Sequence, residues 1–330
     1  MSATESPKPL TFTLLRLLAD GEFHSGEVLA RQCGVTRATV SNALQDAGKF
    51  GLTLYSVRGR GYRLARPLQW LDAEQIRARL GEMQDGMRIE ILDHAPSSNA
   101  LLLRRAAQGE PSATVLAVEY QTAGRGRLGR TWHAGLGDAL TFSLLWRFGS
   151  GLAALSGLSL TVGVAMMRAL AELGVQGAGL KWPNDVLLND GKLAGILIEA
   201  QGDMLGPSAV VIGIGLNLAV PEALRDRIDQ AVSDLAVQGK APPERNLVLA
   251  VLLKHLLSVL RGFAESGFAP LRAEWESRHV FQQRPVVLWL PDGSQVAGTV
   301  LGVTEGGALR LETAQGTQTF NAGEVSLRKA

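Results

Sequence analysis

Residues 121–135, QTAGRGRLGRTWHAG, crowd three arginines (Arg125, Arg127, Arg130) among Gly124, Gly126, Gly129 and Gly135. Guanidinium groups bind phosphate and carboxylate oxygens in pairs. Glycines let a chain approach such a ligand closely, at a cost in conformational entropy. The pattern suits a loop that stays open and unstructured, then folds over an anionic ligand. Gly124-x-Gly126-x-x-Gly129 also has dinucleotide-binding spacing. That motif needs a helix after its glycines, whereas RTWHAGLGDALTF leads through Gly135 and Gly137 into a strand. No Gly-Lys-Ser/Thr follows, so a P-loop is excluded as well. A solvated basic loop is the plain alternative, and the neighbouring Trp132, large and apolar, weighs against it.

A second cation stands in Lys181-Trp182-Pro183-Asn184-Asp185. Proline lacks a ladder donor and pushes the residue before it to an extended form. Lys181 is therefore expected at a strand end with its direction fixed, although Trp182 as core and Lys181 as merely exposed fits the pentapeptide too.

These residues need elements to hold them. Strands are expected at 87–92, 114–121, 139–148, 185–189, 192–200 and 209–219, with Asp190-Gly191 as a hairpin turn. Helices are expected near 98–108, 155–173, 244–266 and 270–279. Hairpins mixed with long helices predict an α+β domain with a mixed sheet over 84–283. From 284 to 330, short β runs separated by Asp292-Gly293, Gly306-Gly307 and Gln315-Gly316 predict a small barrel of about five strands.

The chain before it reads differently. Residues 11–21 carry a helical stripe of Phe12, Leu14, Leu15, Leu17 and Leu18. Residues 25–51 give two helices around a turn at Gly34, with Thr36 as N-cap and Val28, Leu29, Val35, Val40 and Leu44 in one core. Two short strands then flank Arg58-Gly59-Arg60-Gly61. Residues 1–66 thus form a winged helix-turn-helix, joined by a linker with a short amphipathic helix over 67–83.

Composition fits this plan. The 330 residues are 46% apolar, ample for buried cores. A single cysteine, Cys33, rules out an internal disulfide and suits a reducing, cytoplasmic setting. No membrane partner is expected. The net charge is only +2, but residues 1–66 hold nine Lys/Arg against five Asp/Glu, leaving 24 against 26 in the rest. That asymmetry points to an anionic partner for the N-terminus, with chance surface variation as the alternative.

GRGRLGRTW (124–132), KWPND (181–185) and GIGLN (213–217), in this order and spacing, resemble biotin protein ligases. The preceding winged helix makes the chain similar to the bifunctional bacterial form, which also represses biotin-synthesis genes. The resemblance runs from GEFHSGE (21–27) to GEVSLR (323–328). It implies biotin and ATP as substrates, with Mg²⁺, giving biotinyl-5′-AMP. The adenylate then acylates one lysine of a biotin carboxyl carrier protein. No metal site built by the protein itself is expected.

The resemblance also implies residue roles. Ser97, Ser98 and Asn99 would form the biotin-ring pocket, with Ser98 where the family usually has threonine. Gln121 would bind the ureido group, and the backbone from Gly124 through Arg125 and Gly126 to Arg127 would line the same pocket. Arg125, Arg127, Arg130 and Lys181 would be the catalytic cations. They would let two anions meet and would stabilise the leaving pyrophosphate. Asn217 would stand near phosphates or metal, Asp185 would orient Lys181, and Trp132 would pack on the adenine side. Glu324 and Arg328 would help order the loop, while His94 and His133 read as structural. On DNA, the helix from Thr36 to Ala47 would present Arg37, Thr39, Ser41, Asn42 and Gln45. Arg58, Arg60 and Arg63 of the wing would reach phosphates or the minor groove. The adenylate-bound chain would pair as a homodimer. Two rival readings are a non-catalytic, small-molecule-sensing transcription factor and a lipoate or octanoate ligase; the latter lack the arginine-rich loop.

Overall fold

The computed structural model describes residues 8–236, 241–290, 292–322 and 326–329. Near the N-terminus, α1 (Pro9–Leu17), α2 (Gly26–Cys33) and α3 (Arg37–Leu44) precede the antiparallel hairpin of β1 (Leu54–Val57) and β2 (Gly61–Leu64). Gly34 caps α2 in the left-handed conformation, with φ 65°, which suits glycine. The Thr36 hydroxyl accepts from Thr39 N at the start of α3. Leu29, Val40 and Leu44 are buried here beside Phe12, Leu14, Leu15 and Phe50. Val28 departs from expectation. It lies 40% exposed, because α2 turns Leu29 and Ala30 inward.

The segment after the wing is anchored at both ends. Leu68 packs into the N-terminal core. Leu71, with Ile76 and Leu80 of α4 (Ala73–Leu80), packs into the central core. The central sheet has seven strands: β3 (Arg88–Ala95), β4 (Thr114–Gln121), β5 (Ala139–Phe148), β6 (Ala178–Lys181), β7 (Asp185–Leu188), β8 (Gly191–Gly202) and β9 (Ser208–Asn217). Their spatial order is β3-β4-β5-β9-β8-β7-β6. Only β3–β4 is parallel, so the sheet is mixed. Successive side chains of a strand point to opposite faces. Leu140, Phe142 and Leu144 of β5 and Val210, Ile212, Ile214 and Leu216 of β9 therefore join one core with α6 (Leu158–Glu172) and α8 (Arg245–Ser266). The opposite face receives α5 (Ser98–Ala107), through Leu102 and Ala106 against Leu116, Val118, Leu145 and Val211.

Helix α8 and the stretch Leu152–Glu172 are long and apolar enough to cross a membrane. Both are instead mostly buried, packed in this core.

A short α7 (Glu222–Arg225) follows β9, and α9 (Arg272–Ser277) follows α8. The C-terminal part is a five-stranded antiparallel sheet of β10 (Pro285–Trp289), β11 (Gln295–Val303), β12 (Leu309–Thr313), β13 (Gly316–Phe320) and β14 (Ser326–Lys329). Its order is β13-β12-β11-β10-β14. Buried Val286, Leu288, Leu309 and Leu327 join it to the central core.

Candidate active site

On the α5 face, β5 and β9 carry small side chains at alternate positions, in rows that continue onto β8 and β7. One row across the sheet is Ser143–Gly213–Leu197, and the next is Thr141–Gly215–Gly195–Asp185. Glycine in a strand interior marks a close approach, and each row has an occupant. A Cβ on Gly213 would lie 2.2 Å from Asn99 Oδ1. A Cβ on Gly215 would lie 2.4 Å from the Trp132 ring. The first row thus seats the start of α5, and the second seats the indole. A pocket opens between them, bounded by Arg125–Arg127 and Lys181.

The Ser97–Asn99 end of this pocket is a hydrogen-bonded wall. Ser97 caps α5 by accepting from Ala100 N at 3.4 Å. Ser98 N donates to Gln121 Oε1 at 2.7 Å. Asn99 Nδ2 donates to Leu197 O at 3.1 Å and to Glu199 Oε2 at 3.0 Å. Glu199 in turn pairs with Arg125 at 2.8 Å.

The arginine-rich stretch differs from the open, unstructured loop expected. It folds on itself as a hairpin: Trp132 N donates to Gly124 O at 2.9 Å and Gly126 N to Arg130 O at 2.7 Å. Its tip is a 3-10 turn over Arg127–Gly129, with Leu128 half exposed. The physical reason lies at its foot. The Trp132 ring covers the bare backbone of Gly215, and Gly124 is buried under Trp132, where a Cβ would meet the Trp132 carbonyl at 2.5 Å. Arg127 is held by Asn184 Oδ1 at 3.0 Å and by the carbonyl of Ala322 from the C-terminal sheet. Burial holds the Arg127 guanidinium below the usual arginine range, against the pull of Asp185; it remains charged.

Lys181 ends β6, and the β6–β7 hairpin sets it opposite Asp185. The Trp182–Pro183 bond is cis. Asp185, expected to orient Lys181, lies across the β6–β7 pair from it and also forms an ion pair at 2.7 Å with Lys192. The Asn189–Asp190 turn, with both φ positive, brings Lys192 back across the β7–β8 pair. Lys192 Nζ also lies 6.0 Å from the Trp132 ring centre. Lys192 is a fifth pocket cation that the motifs alone did not single out. Its signal was its place in KLAG, on the strand that follows a tight turn.

The pocket brings together Ser97, Ser98, Asn99, Gln121, Arg125, Gly126, Arg127, Arg130, Trp132 and Lys181. Two expected residues fall outside it. Gly124 is buried behind the hairpin. Asn217 is buried and donates to Lys192 O at 3.1 Å and Ser233 O at 3.0 Å. Its amide nitrogen is spent closing the β8–β9 end against the following loop, and it does not line this pocket. Glu324 lies outside the described residues, as does the Arg328 side chain. His94 stacks on Phe12 with ring centres 5.6 Å apart, which is a packing role; His133 is half-buried and does not line the pocket.

In the winged helix, Arg37, Thr39, Asn42, Gln45, Arg58 and Arg60 are exposed and Ser41 is half-buried. Gln45 lies in the 3-10 turn that follows α3. The Thr39 hydroxyl is 2.9 Å from that of Thr36. Arg60 and Arg63 sit over the Phe23 ring, 4.1 and 4.9 Å from its centre.

This sheet, pocket and pair of flanking domains define a class: a protein ligase of the biotin/lipoate type with a helix-turn-helix attached. Residues 94–217 match the biotin/lipoate A/B protein ligase family, 11–63 a helix-turn-helix domain, and 284–328 the biotin protein ligase C-terminal domain. The chain belongs to the biotin protein ligase family, in its bifunctional ligase/repressor form. It is 38% identical over 318 residues to the bifunctional ligase/repressor BirA of Salmonella typhimurium, covering 96% of this chain and 97% of that one. It is 35% identical over 262 residues to a biotin--[acetyl-CoA-carboxylase] ligase of Mycobacterium tuberculosis, covering 77% and 95%. The Aquifex aeolicus biotin protein ligase solved with biotin and ATP is similar at TM-score 0.62 and 29% identity, over 74% of this chain and 99% of that one.

Proposed function

We propose that this chain joins biotin to ATP, giving biotinyl-5′-AMP and pyrophosphate. It then transfers biotin to one lysine of a biotin carboxyl carrier protein. The observation that carries the reading is the pocket itself: a neutral hydrogen-bonding end at Ser98 and Gln121, continuous with an end where Arg125, Arg127, Arg130, Lys181 and Lys192 converge. A carboxylate and an α-phosphate repel, and such cations lower the cost of their approach. The resulting mixed anhydride is labile, and a covering hairpin excludes water from it.

Mg²⁺ fits as an ion carried by the nucleotide. Among the described residues no group of three or more His, Cys, Asp or Glu could hold a metal. Asp185 beside Lys192 and Asn184 beside Arg127 are the oxygen donors that would hold it, and Mg²⁺ commonly binds through one carboxylate, waters and substrate phosphates. A metal held there would supply charge neutralisation for the leaving pyrophosphate.

The exposed row on α3 and the basic wing support operator binding in the major groove with backbone contacts. Pairing of two adenylate-bound chains belongs to the same reading, because two half-sites bind more tightly than one. Incubation with biotin, ATP, Mg²⁺ and a carrier domain tests the enzyme: mass addition of biotin on one carrier lysine is expected. Binding of biotin without pyrophosphate release or acylation would instead favour a non-catalytic sensor. Adenylation of lipoate in preference to biotin would indicate the related ligase.

A further inference from the structure

The wall at the ring end has a fixed proton direction. Asn99 Nδ2 donates to Leu197 O at 3.1 Å and to Glu199 Oε2 at 3.0 Å. A peptide carbonyl only accepts, so the amide orientation is set and Oδ1 points the other way. Ser143 Oγ lies 2.6 Å from that Oδ1, so Ser143 must donate to it. A hydroxyl has one hydrogen. At the 2.7 Å contact between Ser143 Oγ and Ser98 Oγ, the donor is therefore Ser98. The alternative acceptor for that hydrogen, Gln121 Oε1, is farther at 3.2 Å and already takes Ser98 N–H at 2.7 Å.

Ser98 is left with lone pairs alone for a ligand. Gln121, its oxygen turned to Ser98, keeps its amide N–H groups for a ligand. The ring end thus offers one acceptor beside one donor. Ser143 is fully buried on β5 and does not line the pocket. The arrangement depends on Gly213, since any Cβ there would displace Asn99.

We infer that Ser143 is a specificity-determining, positioning residue: acting with Asn99, it commits the Ser98 hydrogen inward, so the site takes a ring that presents N–H beside C=O and refuses an isosteric ring lacking the N–H. This rests on the biotin reading above. Ser143 acts through Ser98 and touches no reacting atom.

The test compares biotin with its two cyclic carbamate analogues, in which oxygen replaces one or the other ring N–H. Binding and adenylation are measured on the full chain. A site built to receive a buried donor rejects a ligand without it by a large factor. The wild type should prefer biotin to one of the carbamates by about 100-fold or more. In Ser143→Ala, Ser98 loses its nearer acceptor and its hydroxyl can turn to a ligand oxygen. Biotin should weaken, that carbamate should hold or improve, and the ratio should fall to within about 10-fold. The KM for ATP should stay unchanged. Ser143→Thr, which keeps the hydroxyl, should retain the discrimination, and its behaviour guards against a fold defect in the alanine variant. Equal weakening of both ligands in Ser143→Ala, or a wild type that binds both carbamates as well as biotin, would overturn the inference. If the wild type binds no biotin at all, the functional reading itself fails.

Discussion

Trp182 donates its indole N–H to the carbonyl of Gly307 at 3.0 Å, tying the residue beside Lys181 to a turn of the C-terminal sheet. The ring is 1% exposed, and its backbone N–H faces His279 Nε2 at 3.5 Å. Trp182→Phe fills nearly the same space but leaves the Gly307 carbonyl buried without a donor, which costs about 1–3 kcal/mol. Urea unfolding should show that loss. Adenylate formation should fall in kcat more than in the KM for biotin, because Lys181 shifts while the ring end does not. A variant with wild-type kcat would mean the C-terminal sheet does not position the lysine.

Gly213 and Gly215 lie two apart on one face of β9, yet each supports a different occupant. Gly213→Ala should displace Asn99 and raise the KM for biotin by more than about 10-fold, the loss of roughly one buried hydrogen bond. Gly215→Ala should displace Trp132 and raise the KM for ATP, with less effect on biotin binding. Pyrophosphate exchange at varied concentrations of each substrate separates the two. The same shift from both substitutions would contradict a division of the pocket into two rows.

Arg127 spans from the hairpin to Asn184 and to the Ala322 carbonyl. Arg127→Gly should release adenylate and label bystander proteins in a lysate. Asn184→Ala should do the same to a smaller degree by freeing the guanidinium. A blot showing only the carrier protein labelled in both variants would refute this covering role.

Two buried groups should give stability opposite pH dependences. Burial pushes the Asp138 carboxyl up to about 6, outweighing the attraction of Arg66 and Arg245. Burial also lowers His279 to about 4. The native state thus binds a proton at Asp138 that the unfolded chain has lost between about pH 4 and 6, and stability from this group falls as pH rises through that range. At His279 the unfolded chain takes up the proton first, and stability is lost as pH falls from about 6.5 to 4. Relative to wild type, Asp138→Asn should gain up to about 3 kcal/mol on going from pH 4 to 7. His279→Gln should gain a similar amount in the reverse direction. Urea titrations at both pH values check the signs, and parallel slopes for all three chains would exclude both assignments.

Local pattern carried much of this fold. β4 at 114–121 and β5 at 139–148 have long apolar runs, and α8 is a 22-residue apolar helix, so their extents could be read directly. The four-residue β6 could not, because Ala178-Gly179-Leu180-Lys181 shows neither alternation nor β-branched residues. Within the site, the arginine and KWPND motifs announced their own cations. The further partners were hidden: Lys192 also reaches Asp185, and Asn217 spends its amide on backbone carbonyls. Both depend on how the start of β8 and the stretch around 231–233 fold against each other, which sequence neighbours do not encode. Val28 shows the same limit on a helix, where its angular position next to Leu29 decides exposure.

Leu136, four residues beyond Trp132, is fully buried in the hydrophobic cluster of the winged helix, and its N–H donates to the Phe50 carbonyl at 2.8 Å. Tyr120 and His94 lean on the same cluster, through Phe50 and Phe12. A stand-alone ligase therefore cannot be made from this chain by simple excision of its first domain. The cut would bare a greasy scar at the base of the hairpin, and a soluble minimal enzyme would need polar replacements at Leu136 and Tyr120 before it could stay monodisperse.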